Sequence, residues 1–239
     1  MSVYGINELP ELLKENTYPG RGIVVGKTEN GRYAAVAYFI MGRSENSRNR
    51  VFVEKDGDIF TEPHDYSKVS DPSLIIYSAV RTLNGALIVT NGDQTDTIKD
   101  FMVRGEDMRA ALRTREFEPD FPNLTPRISA VLHFGKGDFT YEMSILKSAD
   151  EAGSACSRYF FEYPALSGVG HFIHTYVCDG NPIPTFQGEP ERVRIPNGID
   201  DFTNEIWQSL NPDNKISLYV RYINLETGAE ESRIINKNN

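Results

Sequence analysis

Residues 22–41 read GIVVGKTENGRYAAVAYFIM. Two runs rich in β-branched and aromatic residues, 22–26 and 33–41, flank Glu29-Asn30-Gly31. Asn-Gly between two such runs is a strong hairpin signal, because both residues tolerate the positive φ of a tight turn. Neither run alternates apolar with polar. Val24-Val25 and residues 34–37 are apolar throughout, so these strands should be buried on both faces. A strand buried on both sides needs a layer above it and a layer below. The pattern therefore predicts two stacked sheets with helices outside them.

The remaining patterning fits that frame. Residues 51–55 and 59–61 around Asp56-Gly57 predict a second hairpin, and 216–225 with 229–235 a last one turning at Glu226-Thr227-Gly228. Further strands are expected at 86–90, 129–134, 139–146, 158–163 and 169–177. Helices are expected over 7–16, with Asn7 as cap and Leu9, Leu12 and Leu13 on one face, and over 200–210, with Phe202, Ile206 and Leu210 at helical spacing. Residues 96–115, broken at Gly105, read as two consecutive helices. Asp71-Pro72 opens another, carrying Leu74, Tyr77, Ser78 and Arg81. Strands in antiparallel blocks and helices in separate blocks make the class α+β rather than βαβ. With no repeat, low-complexity tract or linker, residues 1–239 read as one domain.

The composition, 39% hydrophobic and 25% charged over 239 residues, is incompatible with wholesale disorder. Lys and Arg number 25 against 34 Asp and Glu, a net charge of −9. That argues against a duplex nucleic-acid partner, whose phosphates require a basic surface. It leaves room for a small anion held by a local arginine cluster. No stretch approaches the roughly 18 apolar residues of a membrane helix, and no signal peptide precedes residues 34–41, so a cytoplasmic protein without membrane partners is expected. Cys156 and Cys178 make no CxxC and are expected as reduced, packed thiols.

Three segments could carry chemistry. Gly42-Arg43-Ser44-Glu45-Asn46-Ser47-Arg48-Asn49-Arg50 follows a buried strand and carries three arginines against one glutamate, and guanidinium forks bind phosphate oxygens bidentately. A solvated loop is the competing reading. Thr90-Asn91-Gly92-Asp93-Gln94-Thr95-Asp96-Thr97-Ile98 joins a strand to a helix; it reads as a ligand cradle, or else as a helix cap through Asp93, Thr95 or Asp96. Glu116-Phe117-Glu118-Pro119-Asp120, running into Asn123-Leu124-Thr125-Pro126-Arg127, offers three alternating carboxylates for acid–base work, or an exposed acidic loop.

Other signals fail. Gly26-Lys27-Thr28 lacks the upstream glycine of a P-loop. His171 and His174, three apart on a strand, face opposite ways; His64 and His133 have no ligand spacing; Gly168-Val169-Gly170 precedes a strand, not a helix. No metal, nicotinamide or nucleoside triphosphate requirement is expected.

Taken together, Tyr18-Pro19-Gly20-Arg21, the 42–50 segment, residues 71–81, Asn91-Gly92 through Thr95-Asp96-Thr97-Ile98 and Thr125-Pro126-Arg127-Ile128 resemble the archaeal-type IMP cyclohydrolase family. The order and spacing of these blocks agree over 18–130. Residues 131–239 look diverged, and 1–17 form an N-terminal helical extension. The resemblance implies a four-layer α-β-β-α sandwich of two stacked, mostly antiparallel sheets, like that of N-terminal-nucleophile hydrolases. It also implies closure of 5-formamidoimidazole-4-carboxamide ribonucleotide to IMP with loss of water, and no cofactor. A homo-oligomer is expected.

Resemblance and chemistry together assign Arg43, Arg50 and Arg127 to the phosphate, with Arg21 and Arg48 in reserve and Ser44 and Asn49 beside them. Asn91, Asp93 and Thr95 are expected against the ring and carboxamide, with Tyr77 projecting from its helix. Glu118 is the expected proton-transfer carboxylate, with Asp120, Glu116 or Tyr77 as alternatives. Arginine neighbours would lower its pKa unless burial against Phe117 or Phe121 opposed them. Competing functions are a purine-nucleotide-binding protein that kept the pocket without the reaction, and another amide hydrolase on the same fold.

Overall fold

The computed structural model describes residues 4–69 and 76–238. Helix α1 (Leu9–Glu15) precedes the expected hairpin of β1 (Arg21–Lys27) and β2 (Tyr33–Met41). A single helical turn, α2 (Glu45–Arg48), leads into β3 (Arg50–Lys55), β4 (Asp58–Pro63), β5 (Tyr77–Leu83) and β6 (Ala86–Thr90). Helices α3 (Gln94–Val103) and α4 (Met108–Leu112) follow, then β7 (Arg127–Gly135), β8 (Asp138–Ser148), β9 (Cys156–Pro164), β10 (Val169–His174) and β11 (Glu191–Arg194). Helix α5 (Ile199–Ser209) comes before β12 (Lys215–Asn224) and β13 (Glu230–Asn236).

Among the described residues the strands form a six-stranded sheet, β11-β10-β1-β2-β12-β13, and a seven-stranded sheet, β3-β4-β5-β6-β7-β8-β9. Neighbours in both are antiparallel. The reason lies in β2. Ala34, Val36, Tyr38 and Ile40 point into the core between the sheets, against Phe52, Leu87, Ile128 and Met143 of the second sheet. Ala35, Ala37, Phe39 and Met41 point the other way, against Leu9 and Leu13 of α1 and Phe202 and Ile206 of α5. Ile98 of α3 and Met108, Ala111 and Leu112 of α4 cover the outer face of the second sheet at Ile88, Val131 and Leu146. Helix, sheet, sheet, helix is the layer order. Each fully buried aliphatic or aromatic side chain contributes about 1.5–3 kcal/mol, so an apolar strand is most stable in the middle of such a stack.

Three expectations change. Tyr77, Ser78 and Arg81 lie on strand β5, not on a helix; Asp71, Pro72 and Leu74 fall outside the described residues. A register shift between Ile59 and Phe60, opposite Val80 and Ser78, puts a bulge in this strand. Ser78 and Arg81, three apart, both reach Asp96 of α3, at 3.0 and 2.7 Å. The bulge thus copies the spacing of a helical face. Asn7 does not cap α1, because its backbone N–H and Nδ2 both donate to the Arg192 carbonyl, at 2.9 and 3.1 Å. The 94–112 helices begin at Gln94 rather than at residue 96, and Gly105 (φ +81) lies between them.

The close pairing of β1 with β10 depends on two facing glycines. Gly26 is the register partner of Gly170, and a Cβ on Gly26 would lie 2.4 Å from Gly170 Cα and 2.6 Å from the Val169 carbonyl. Gly26→Ala should therefore cost about 1–3 kcal/mol of stability, as overpacking against backbone does. Gly135→Ala, where nothing lies within 4 Å of the added carbon, should leave the urea midpoint unchanged. Equal midpoints for the two variants would refute this account.

Candidate active site

Several strand ends meet at one end of the sandwich. β1 begins there at Arg21, β2 ends at Met41, β3 begins at Arg50, β6 ends at Thr90, β7 begins at Arg127 and β10 ends at His174. The polar segments after β2 and before β7 close over this end and line a cavity of about 260 Å³.

Glu118 is the carboxylate at its base. The residue is 4% exposed, and its backbone N–H donates to the Thr125 carbonyl at 2.8 Å, folding residues 118–125 into a closed loop. Arg21 Nη2 lies 3.6 Å from Glu118 Oε2. Burial raises the Glu118 pKa above its ordinary value, and the opposing charges of Arg21, Arg127 and Arg50 do not cancel it. Of the two opposing effects that the sequence left open, burial prevails. Phe121, at 72% exposure, does not bury the carboxyl. Burial also works against the charge of Arg21, but Glu118 together with Tyr176, Tyr77 and Tyr38 outweighs it and holds the guanidinium above its ordinary pKa. Arg21 Nε is buried without a partner.

Arg50 is the second cation of the cavity. It is 1% exposed; its Nε donates to the Ser47 carbonyl at 2.7 Å and its Nη2 to the Met41 carbonyl at 3.2 Å. Both partners are neutral, and among the described residues no carboxylate pairs with it. Burial, then the nearby Arg21 charge, pushes its pKa below the ordinary value. A buried charge in that position favours an anionic ligand. Asn46 and Ser44 line the same wall, and Asn46 Oδ1 is buried without a partner. Ser44 also caps α2, accepting from the Ser47 N–H at 3.1 Å.

The other arginines already have partners. Arg43 lines the cavity as well, paired with Asp179, bonded to the Gly180 carbonyl at 2.8 Å and placed 5.1 Å over the Tyr18 ring. Arg48 turns away to the Gly42 carbonyl and Asn214, and Asn49 clips the backbone of Asp65 through two 2.7 Å hydrogen bonds; neither lines the cavity. Arg127 sits behind Glu118, with Nη1 donating to Asp93 at 2.6 Å and to Gln94 at 2.8 Å.

Nor do Asn91, Asp93 and Thr95 line it. Asn91 accepts from the Ile128 N–H and donates to the Pro126 carbonyl, both at 2.9 Å. The Thr95 hydroxyl lies 2.6 Å from that of Thr90 and bonds the Gly92 carbonyl at 3.0 Å. Asp93 precedes α3 without a side-chain capping bond; it takes Arg115 and Arg127 instead, which outweigh partial burial and hold its pKa below the ordinary value. This segment is the junction that ties β6, α3 and β7 together behind the site. Tyr77 also lies outside the lining, its hydroxyl 2.8 Å from that of buried Tyr38.

Sequence reasoning missed several cavity residues. Tyr18 and Thr125 stand in the segments that carry the family resemblance, yet neither had an assigned role. Tyr176 and Ile183 come from beyond β10, where no local motif points to them. The Tyr176 ring stacks on Tyr18 with centroids 5.9 Å apart, and it fits only because residue 20 is glycine: a Cβ there would lie 2.5 Å from the ring, at a φ of +76.

An antiparallel α+β sandwich whose end holds a buried carboxylate and a buried arginine without a carboxylate partner, in one cavity, suits a small anionic ligand. Comparison with known proteins narrows the class. The chain belongs to the IMP cyclohydrolase-like family, whose model matches residues 18–228. The IMP cyclohydrolase of Methanopyrus kandleri is 36% identical over 182 residues, covering 71% of this chain and 89% of its relative. That of Methanococcus aeolicus is 29% identical over 67% of this chain and 75% of its own length, and that of Methanococcus maripaludis 33% identical over 64% and 78%.

Thr95→Val keeps the shape of the side chain and removes both hydroxyl bonds at the junction. It should lower stability by about 1 kcal/mol, read as a shift of the urea midpoint. An unchanged midpoint would mean that the hydroxyl serves something other than the fold.

Proposed function

We propose that the protein closes 5-formamidoimidazole-4-carboxamide ribonucleotide to IMP with loss of water. Membership of the family supports this, and so does one observation above the others: a buried carboxylate with a raised pKa and a buried arginine with no carboxylate partner line one cavity.

The chemistry asks for both. The carboxamide nitrogen attacks the formyl carbon, both hanging from one ring, so their approach costs little. The formyl oxygen gains negative charge and then leaves as water. Arg21, held against Glu118 with its Nε free, is placed to stabilise that oxygen. Glu118, whose protonated form burial favours, is placed to give the oxygen a proton and to recover one from the formamide nitrogen as the ring double bond forms. Arg50 supplies the charge for the phosphate, with Ser44 and Asn46 beside it. Arg43 at the mouth and Arg127 behind Glu118 act on the electrostatics and the shape of the site. Among the described residues no helix is long and apolar enough to cross a membrane.

Arg50→Lys keeps the charge and loses the planar fork, so IMP binding should weaken by about tenfold or more. Arg48→Ala should bind IMP like the wild type in calorimetry. Equal affinities would remove Arg50 from the phosphate.

Glu118→Gln should lower the rate of IMP formation by about 10²-fold or more while IMP still binds. It should also raise the melting temperature at neutral pH. A carboxyl whose folded pKa lies above its unfolded value loses its contribution to stability as pH rises through the folded pKa, and Gln has nothing to lose. The gain should vanish below pH 4.5, the ordinary value for this group. Binding of IMP by a wild type that forms none would favour a nucleotide-binding protein without the reaction.

A further inference from the structure

We propose that Tyr176, Thr125 and Asp120 form a directed proton relay that draws the proton from the attacking carboxamide nitrogen, with Asp120 as its terminal acceptor. This rests on the cyclohydrolase reading and deepens it, because that reading leaves the attacking nitrogen without a base.

The direction follows from counting protons. All three residues line the cavity with Glu118 and Arg21. Tyr176 Oη lies 2.5 Å from Thr125 Oγ1, and Thr125 Oγ1 also hydrogen-bonds Asp120 Oδ2. Asp120 Oδ1 accepts from the Thr125 backbone N–H at 2.6 Å, which fixes the carboxylate against this residue. A hydroxyl owns one proton and a carboxylate can only accept. Thr125 therefore donates to Asp120 and must accept from Tyr176. The Tyr176 proton points at Thr125, and toward the cavity its oxygen offers lone pairs alone. Among the described residues that oxygen has no other hydrogen-bond partner. It suits a substrate N–H and disfavours a phosphate or carbonyl oxygen.

Tyr176 is held for this. Its ring is stacked on Tyr18, its backbone N–H donates to the Pro19 carbonyl at 3.2 Å, and neighbouring Thr175 locks the start of β1 by accepting from the Arg21 N–H at 3.1 Å. Burial pushes the Tyr176 pKa up to about 12, against Arg21, so the phenol keeps its proton between turnovers.

The balance closes. As the C–N bond forms, the carboxamide N–H proton passes to Tyr176 Oη, the tyrosine proton to Thr125 Oγ1, and the threonine proton to Asp120 Oδ2. The formyl C=O bond becomes C–O, and its oxygen takes the Glu118 proton. In the second step the formamide N–H proton returns to Glu118 and the C=N bond forms. The hydroxyl leaves as water with the proton that Asp120 sends back through the relay. Tyr176 is the catalytic residue of the relay; Thr125 and Asp120 act through it.

The test follows IMP formation and IMP binding in the full chain and in Tyr176→Phe, Asp120→Asn, Thr125→Val and Thr125→Ser. Tyr176→Phe keeps the stacking, and Asp120→Asn keeps the acceptor for the Thr125 N–H. These two and Thr125→Val should each lower kcat by about 10²-fold with IMP affinity within about threefold of wild type. Thr125→Ser restores the hydroxyl and should restore turnover. The Tyr176→Phe/Asp120→Asn pair should fall no further than either single variant, as for residues that act as one unit. Wild-type turnover in Tyr176→Phe, multiplied losses in the pair, failure of Thr125→Ser to restore, or loss of IMP binding together with turnover would each overturn the relay while leaving the cyclohydrolase reading intact. A wild type that forms no IMP would overturn that reading, and the relay with it.

Discussion

Keeping the Glu118 carboxylate out of water is the condition on which the rest of this end of the molecule depends. A buried carboxylate loses several kcal/mol of hydration, and only fixed charges and donors around it can offset that. Arg21 is the nearest such charge, and the strand that carries it must start at that point, which the Thr175 hydroxyl secures through the Arg21 N–H. Arg127 and Arg50 add to the field without touching Glu118 in an ion pair. The balance still falls on the side of burial. The loop 118–125, closed by its own backbone bond, keeps water away from a group that would otherwise behave as an ordinary solvated acid.

The arginines divide by what already satisfies them. Arg127 answers Asp93 and Gln94, Arg43 answers Asp179, and Arg48 answers a carbonyl and an amide. The charges of Arg127 and Arg43 are used within the protein, and that of Arg48 is exposed to water. Arg50 has only backbone carbonyls, so its charge is uncompensated where the cavity opens. Residue type is the same in all four cases; the acceptor sets Arg127 and Arg43 apart from Arg50, and exposure sets Arg48 apart. In a protein with a net charge of −9, most arginines find a carboxylate, which makes a buried arginine without one informative.

Asn91, Thr95 and Gln94 give a different lesson about polar motifs. Seven consecutive polar or glycine residues from 91 to 97 read as a ligand cradle because so many donors and acceptors need partners. The partners turn out to be the ends of β6 and β7 and the first turn of α3. Three elements converge there with unpaired backbone groups, and side chains satisfy them. The motif serves the site indirectly, by holding Arg127 and Asp93 behind Glu118.

What the sequence determined by itself was the layering. An apolar strand such as residues 33–41 must be covered on both faces wherever it lies, so two sheets with helices outside were legible from hydrophobicity alone, as were the Asn-Gly hairpin and the helix of residues 199–209. The family resemblance directed attention to residues 18–130; Arg50 lies in one of its blocks, and Glu118 was named from its position ahead of Thr125-Pro126-Arg127. Only the tertiary structure decided which polar residues face one another. Tyr77 and Arg81 share a helical spacing with a bulged strand, and pattern does not separate the two. Tyr176 lies 51 residues from Thr125, and no local signal connects them. The pKa of Glu118 rises rather than falls because the loss of hydration outweighs the neighbouring arginines. That balance depends on distance and burial, which exist only once the chain has folded.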